Sequence, residues 1–151
     1  MAKQSAGILL FRKEKELEVF LVHPGGPFFA KKDLGAWSIP KGEYLDDEDP
    51  LEAAKREFTE ETGFSVEGKF IVLAPVKLKS GKIIKAWAVE GDVDAAEIVS
   101  NTFEMIWPPK SETTRAFPEV DKAGWFNIKV AREKINERQA AFLTELEHLL
   151  K

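Results

Sequence analysis

The stretch Asp49–Gly63, DPLEAAKREFTEETG, carries the start and stop signals of a helix, and it lies between runs that read as strands. Asp49 is placed to cap the first turn, with Pro50 at the first helical position and Glu52 completing a capping box. Gly63 is the residue type that closes a helix in a left-handed turn. A helix over about 50–62 follows. On one side "SAGILLF" and "LEVFLVHP" flank the charged "RKEKE"; on the other "FIVLAPVKL" and "KIIKAWAVEGDV" flank "KSGK". Each pair reads as two strands joined by a short exposed turn. A chain with strands on both sides of a central helix has few solutions. The expected one is an α/β fold, a mixed central sheet covered by helices on both faces.

The last stretch reads as a second helix, over about 137–150. Ile135, Gln139, Phe142, Leu143, Leu146, Leu149 and Leu150 recur at helical spacing, and Asn136 with Gln139 resembles a capping box. Between them, "SNTFEMIWPPKSETTRAFPEVDKAGWF" suggests a strand, a long loop and a short strand near Trp125. With 151 residues and 44% apolar content, one domain spanning 1–151 has room for a sizeable core.

On the central helix, at about 100° per residue, Glu57, Glu60 and Glu61 fall on one side and Leu51, Ala54 and Phe58 on a stripe roughly a quarter-turn away. One face packs, and the neighbouring face gathers negative charge. Most such charge runs are solvated surface, with Arg56 and Glu60 an ordinary (i, i+4) pair. What separates this helix from that reading is spacing. Gly42 is followed after five residues by Glu48, after seven more by Arg56-Glu57-Phe58, then by Glu60-Glu61 and Gly63-Phe64.

That spacing resembles the Nudix box, Gx5Ex7REUxEExGU with U apolar, and it matches at every defined position. The resemblance implies an α/β/α sandwich and a metal-dependent pyrophosphohydrolase that cleaves a nucleoside diphosphate linked to another moiety. By position, Glu57, Glu60 and Glu61 resemble the family's ligands for Mg2+ or Mn2+, with the backbone beside Gly42 as a further ligand and Glu57 also orienting or deprotonating water. Arg56 is similar to the box arginine, which holds a glutamate by a salt bridge; Glu48 or Glu57 is its expected partner. An additional carboxylate beyond the box is common in the family, and Glu119 is the first choice for it, with Glu104 second.

Composition agrees with this chemistry. The chain has no cysteine, so thiolate metal sites and disulfides are excluded and oxygen donors favour a hard ion. With 22 basic against 26 acidic side chains the formal net charge is -4, which argues against a stable nucleic-acid complex or capture by an anionic membrane. The first apolar run is about six residues, short of a signal core or a spanning segment, so a soluble cytoplasmic protein is expected. No oligomeric state can be read from the sequence.

For the substrate, "GAWSIPKG" just before the box resembles the WxxPKG lead-in of Nudix enzymes that cleave dinucleoside polyphosphates such as diadenosine tetraphosphate. Nucleoside triphosphates, including damaged ones, and ADP-ribose or nucleotide sugars are the alternatives. A non-catalytic nucleotide-binding module is the alternative of another class. Lys41 could meet a phosphate, and Lys79, Lys82 and Lys85 could extend its path or be solvated. Phe28 and Trp107 are the first candidates to stack on a base, with Phe29 and Phe117 behind them; Trp37, Trp87 and Trp125 read as core. His23 and His148 lack metal-like spacing.

Overall fold

The computed structural model describes residues 3–151. Its elements in chain order are β1 (Gln4–Lys13), β2 (Leu17–Pro24), β3 (Lys41–Glu43), α1 (Pro50–Thr62), β4 (Ile71–Val72), β5 (Val76–Lys77), β6 (Ile83–Glu90), β7 (Thr102–Ile106), β8 (Thr114–Pro118), β9 (Val120–Asn127), α2 (Ile128–Lys134) and α3 (Ala140–Leu149). The central sheet runs β4-β6-β1-β2-β9, with β3 paired to β1 and β5 to β6. It is mixed: β1 lies parallel to β6 and antiparallel to β2. β7 and β8 form a separate hairpin.

The near-continuous apolar run of β1 is explained by burial on both sides. Ile8 and Leu10 point towards α1, packing with Phe20, Ala53, Ala54 and Phe58. Leu9 and Phe11 point the other way, towards Trp37, Phe142, Leu143 and Leu146. Strand alternation thus feeds two cores from one segment, and helices cover both faces.

β1 and β2 pair only near their hairpin, from Phe11–Val19 to Lys13–Leu17. Beyond it they part, and residues 38–43 wedge into the gap. Ser38 exchanges backbone hydrogen bonds with Val22 of β2, Pro40 O accepts from Ile8 N of β1, and Lys41–Glu43 then pair with β1. Gly7 makes this possible, since a Cβ there would lie 2.6 Å from Pro40 O. The wedge carries Lys41 and Gly42 alongside Gly7 and Ala6 in the first half of β1, with Gly42 against Glu57 of α1.

α1 starts and stops where its caps predict. The Asp49 carboxylate accepts from Glu52 N at 3.0 Å, and Gly63 closes the helix at φ 81° with its N–H on Thr59 O. The C-terminal helix lies where it is expected, over residues 137–149, with Glu137–Gln139 as a 3-10 first turn that runs directly into α3 at Ala140. Asn136 does cap, but onto Arg138 N, and Gln139 closes no box because its side chain turns inward to Ser38 and Ile39. A further helix, α2, precedes it, capped by Asn127 onto Val130 N, and it claims Ala131 and Ile135 for the core. β8 lies in what reads as a loop, and the strand around Trp125 is eight residues long and sits at the sheet edge. Of the three tryptophans expected in the core, Trp37 is buried, while Trp87 and Trp125 flank the α1 core half-buried. Among the described residues no helix is long and apolar enough to cross a membrane.

Candidate active site

The acidic face of α1 is not a solvated surface. Ala53, Ala54 and Phe58 anchor the helix on the sheet, and the same docking buries Glu57 and Glu61, each only 7% exposed. Burying a carboxylate costs free energy unless it gains partners, so their neighbours matter. Glu57 lies against Gly42 so closely that a Cβ at position 42 would stand 2.0 Å from its Oε2. The wedge strand and the helix therefore form one cradle around that carboxylate.

Arg56 organises the rest. Its Nε and Nη2 donate to both oxygens of Glu48, at 2.9 and 3.0 Å. Its Nη1 reaches Glu57 Oε1 at 2.9 Å and both oxygens of Glu60 at 3.3 Å. The expected choice between Glu48 and Glu57 resolves to both, with Glu60 in addition. The planar fork suits this bidentate grip. The hydrogen bonds from Arg56 hold the Glu48 carboxyl below its usual range, and Glu48 leads the contacts that raise the guanidinium's own pKa. Arg56→Lys removes the fork while keeping the charge. It is expected to cost roughly tenfold in turnover, with the circular dichroism spectrum unchanged; turnover equal to the parent protein's would show that the clamp does not order the acids.

Beside the helix, a cavity of about 320 Å3 is lined by Ser38, Ile39, Lys41, Glu61, Phe103 and Glu119, among others. Glu119 sits between β8 and β9, on the wall of this cavity. Burial raises the Glu61 carboxyl to about 8, with the Lys41 ammonium pulling against it and Glu57 and Glu119 adding to it. Burial first and Glu60 second raise Glu57, and the same two causes raise Glu119. Desolvation in turn lowers Lys41, opposed by Glu61. Five acids, Glu48, Glu57, Glu60, Glu61 and Glu119, thus surround one arginine and one lysine, a local excess of negative charge.

Among the described residues, no three carboxylates or imidazoles stand close enough to hold an ion, and Arg56 occupies Glu57 and Glu60. The donor set nonetheless fits a hard divalent cation. It is all oxygen, it is short of countercharge, and Gly42 leaves open the space that the Glu57 carboxylate needs.

Of the residues singled out in the sequence, Gly42, Lys41, Glu48, Arg56, Glu57, Glu60, Glu61 and Glu119 gather here. Phe28 and Trp107 do not line the cavity; they meet each other edge-to-face at 5.7 Å, and Phe28 stays 61% exposed. Glu104 is exposed, on the strand face opposite Phe103. Lys79 pairs with Glu137 and Lys82 with Glu43, so the "KSGK" lysines form no continuous path into the cavity. His23 is buried between Asp121 Oδ1 and Lys32 O, where it ties down the loop after β2. Phe103 and Ser38 are lining residues the sequence did not flag. The signal for Phe103 was its alternation with Met105, which puts it opposite Phe117 on the hairpin.

A family model described as NUDIX domain matches residues 1–146. No curated protein matches the chain at a significant level. Among solved structures, a Caenorhabditis elegans Ap4A hydrolase, in a binary complex, superposes with a TM-score of 0.65 at 20% identity, covering 97% of each chain. The NUDIX domain of Shewanella oneidensis NrtR, complexed with ADP ribose, gives 0.69 at 15% identity, over 100% of this chain and 90% of that one. A MutT protein from Methanosarcina mazei Go1 gives 0.65 at 17% identity, over 99% and 96%. At these identities the likeness is one of fold.

Proposed function

We propose that this chain, which belongs to the Nudix family and is a hydrolase of phosphoanhydride bonds, acts on a dinucleoside polyphosphate with Mg2+ or Mn2+ as its metal. The observation that supports the catalytic assignment is the meeting of Gly42, Glu57, Glu61, Lys41 and Glu119 where the wedge strand, α1 and the β8–β9 turn converge. Glu57, Glu60 and Glu61 would hold the metal, with the backbone beside Gly42 as a further donor. When bound, such an ion neutralises pyrophosphate oxygens and lowers the pKa of a water.

The chain's own groups do the rest. Arg56 keeps Glu48, Glu57 and Glu60 in register, so the acids are arranged before substrate arrives. Glu57 orients or deprotonates the attacking water, and Glu119 is the candidate for general base from outside the helix. Burial raises both carboxyls, bringing each closer to the pKa that suits proton transfer near neutral pH. Lys41, on the cavity wall, meets a substrate phosphate.

Two features support a substrate with two bases. The cavity beside Glu61 is of a size for one nucleoside moiety, and the exposed Phe28–Trp107 pair offers an aromatic surface outside it. The lead-in "GAWSIPKG" points the same way. We place the whole chain in one Nudix domain in the cytoplasm, with a small-molecule nucleotide as partner and no membrane or stable nucleic-acid complex.

A product assay across diadenosine tetraphosphate, the common nucleoside triphosphates and ADP-ribose tests the substrate. Diadenosine tetraphosphate is expected to have the highest kcat/KM. Equal or faster turnover of ADP-ribose, the ligand of the Shewanella domain, would reject the dinucleotide assignment and leave the hydrolase reading standing.

A further inference from the structure

We infer that Gln139 is a positioning residue for the site, acting through Ser38 and Ile39 on the strand that delivers Lys41 and Gly42. The inference rests on the reading of Lys41 and Gly42 as parts of the active site. Its physical basis is the wedge between β1 and β2. Ser38 is fixed to β2 by two backbone bonds, Val22 N to Ser38 O at 2.9 Å and Ser38 N to Val22 O at 3.0 Å. Two residues later the chain belongs to β1, through Ile8 N to Pro40 O at 3.1 Å. Ile39 is the crossover residue, and its N–H has no strand to donate to.

Gln139, 2% exposed and a hundred residues away in sequence, supplies the acceptor: Ile39 N donates to its Oε1 at 3.1 Å. Its Nε2 donates to Ser38 Oγ at 3.0 Å, and that hydroxyl passes its own hydrogen to Ile39 O at 2.7 Å. One buried amide thus satisfies both sides of the crossover. The anchor is stiff, because Phe142 beside it is fully buried in the core and Asn136 N donates to Trp37 O on the same segment. Ser38 and Ile39 line the cavity, Lys41 follows two residues on, and Gly42 then meets Glu57. Without the amide, the Ile39 N–H is buried and unpaired, and the segment must shift to find water or another carbonyl. Lys41 and Gly42 shift with it.

Gln139→Met keeps the volume and removes both bonds; Gln139→Glu keeps an acceptor for Ile39 and, when protonated, the donor to Ser38. Leu143→Ala weakens the same helix in the core without touching the crossover. At a temperature well below all melting points, Gln139→Met is expected to lower kcat at least about tenfold with KM within about threefold, and to speed amide exchange at Ile39. Gln139→Glu should recover kcat to within about threefold, more completely as pH falls. Leu143→Ala should melt at least as early as Gln139→Met and keep kcat within about threefold.

Unchanged kcat and Ile39 exchange in Gln139→Met would overturn the inference. So would loss of kcat in Leu143→Ala matching that in Gln139→Met, since Gln139 would then only stabilise the helix. If the parent protein hydrolysed no pyrophosphate substrate, the functional reading would fail instead. The Ile39 exchange and the Lys41 and Gly42 amide shifts in Gln139→Met would still decide whether Gln139 positions the strand.

Discussion

Glu61→Gln is expected to lower turnover by at least about 10³-fold, the rate equivalent of about 4 kcal/mol, while the circular dichroism spectrum stays that of the parent protein. Chelating the divalent metal should do the same to the unmodified chain. Glutamine matches glutamate in shape, so no cavity opens, but it offers a neutral oxygen where a carboxylate is needed. The substitution also carries a stability signature. The folded Glu61 carboxyl is raised to about 8 from 4.5, so folding favours its protonated form. Stability from that preference is full below the unfolded value and drains away as pH rises from 4.5 to about 8. In chelator, thermal melts of the parent protein should therefore fall across that window, and those of Glu61→Gln should fall less. Saturating Mg2+ should restore the alkaline loss in the parent alone. Turnover of Glu61→Gln within about tenfold of the parent would remove Glu61 from the metal set.

The candidate site was legible in the sequence to the extent that its geometry is local. Asp49, Pro50 and Gly63 fix the ends of α1 by chemistry confined to single turns, and the structure follows them residue for residue. The register of Glu57, Glu60 and Glu61 on that helix follows from its period. What periodicity could not show is that Glu57 and Glu61 are buried, because that depends on β3 lying against the helix, and β3 is three residues with no pattern of its own. The motif spacing marked these glutamates as candidate ligands, and their burial came only with the fold.

Where contacts span the chain, the reading thinned out. Gln139 was taken for a helix cap because cap residues are recognised by neighbours; its partners are Ser38 and Ile39, which no local pattern indicates. α2 was hidden for a different reason. It is seven residues long with Ala131 as its one buried residue, too short for helical spacing to show, so the segment before 137 was left without a helix. Glu119 was chosen by its place before a Trp-Phe strand, and the structure sets it on the cavity wall; the exposure of Glu104 follows from strand alternation once Phe103 faces inward. The aromatic candidates were separable only in part. Exposure distinguishes Phe28 from the buried Trp37, yet the partner of Phe28 is Trp107, far along the chain.

Gly42→Ala makes the most discriminating second test, because it adds one methyl group and no charge. The backbone at Gly42 does not require glycine; space does. A Cβ there would stand 2.0 Å from Glu57 Oε2, 2.1 Å from its Cδ and 2.5 Å from Oε1. Gly7, on the facing strand, is the instructive contrast: its Cβ would meet the backbone oxygen of Pro40, which cannot move without breaking the wedge. The obstacle at Gly42 is the far end of a flexible side chain. Glu57 can swing out, losing its bond to Arg56 and its place in the cradle, and as a carboxylate raised by burial it gains solvation when it does. Gly42→Ala is therefore expected to fold with stability within about 1 kcal/mol of the parent and to lose roughly 10²-fold in turnover. Gly7→Ala should be the destabilised one. If the loss arises through Glu57, it must vanish when Glu57 is already gone. In a Glu57→Ala background, adding Gly42→Ala should cost less than about twofold, a strongly non-additive cycle. Additive losses, or full activity in Gly42→Ala, would mean that Glu57 does not work from the position where Gly42 holds it.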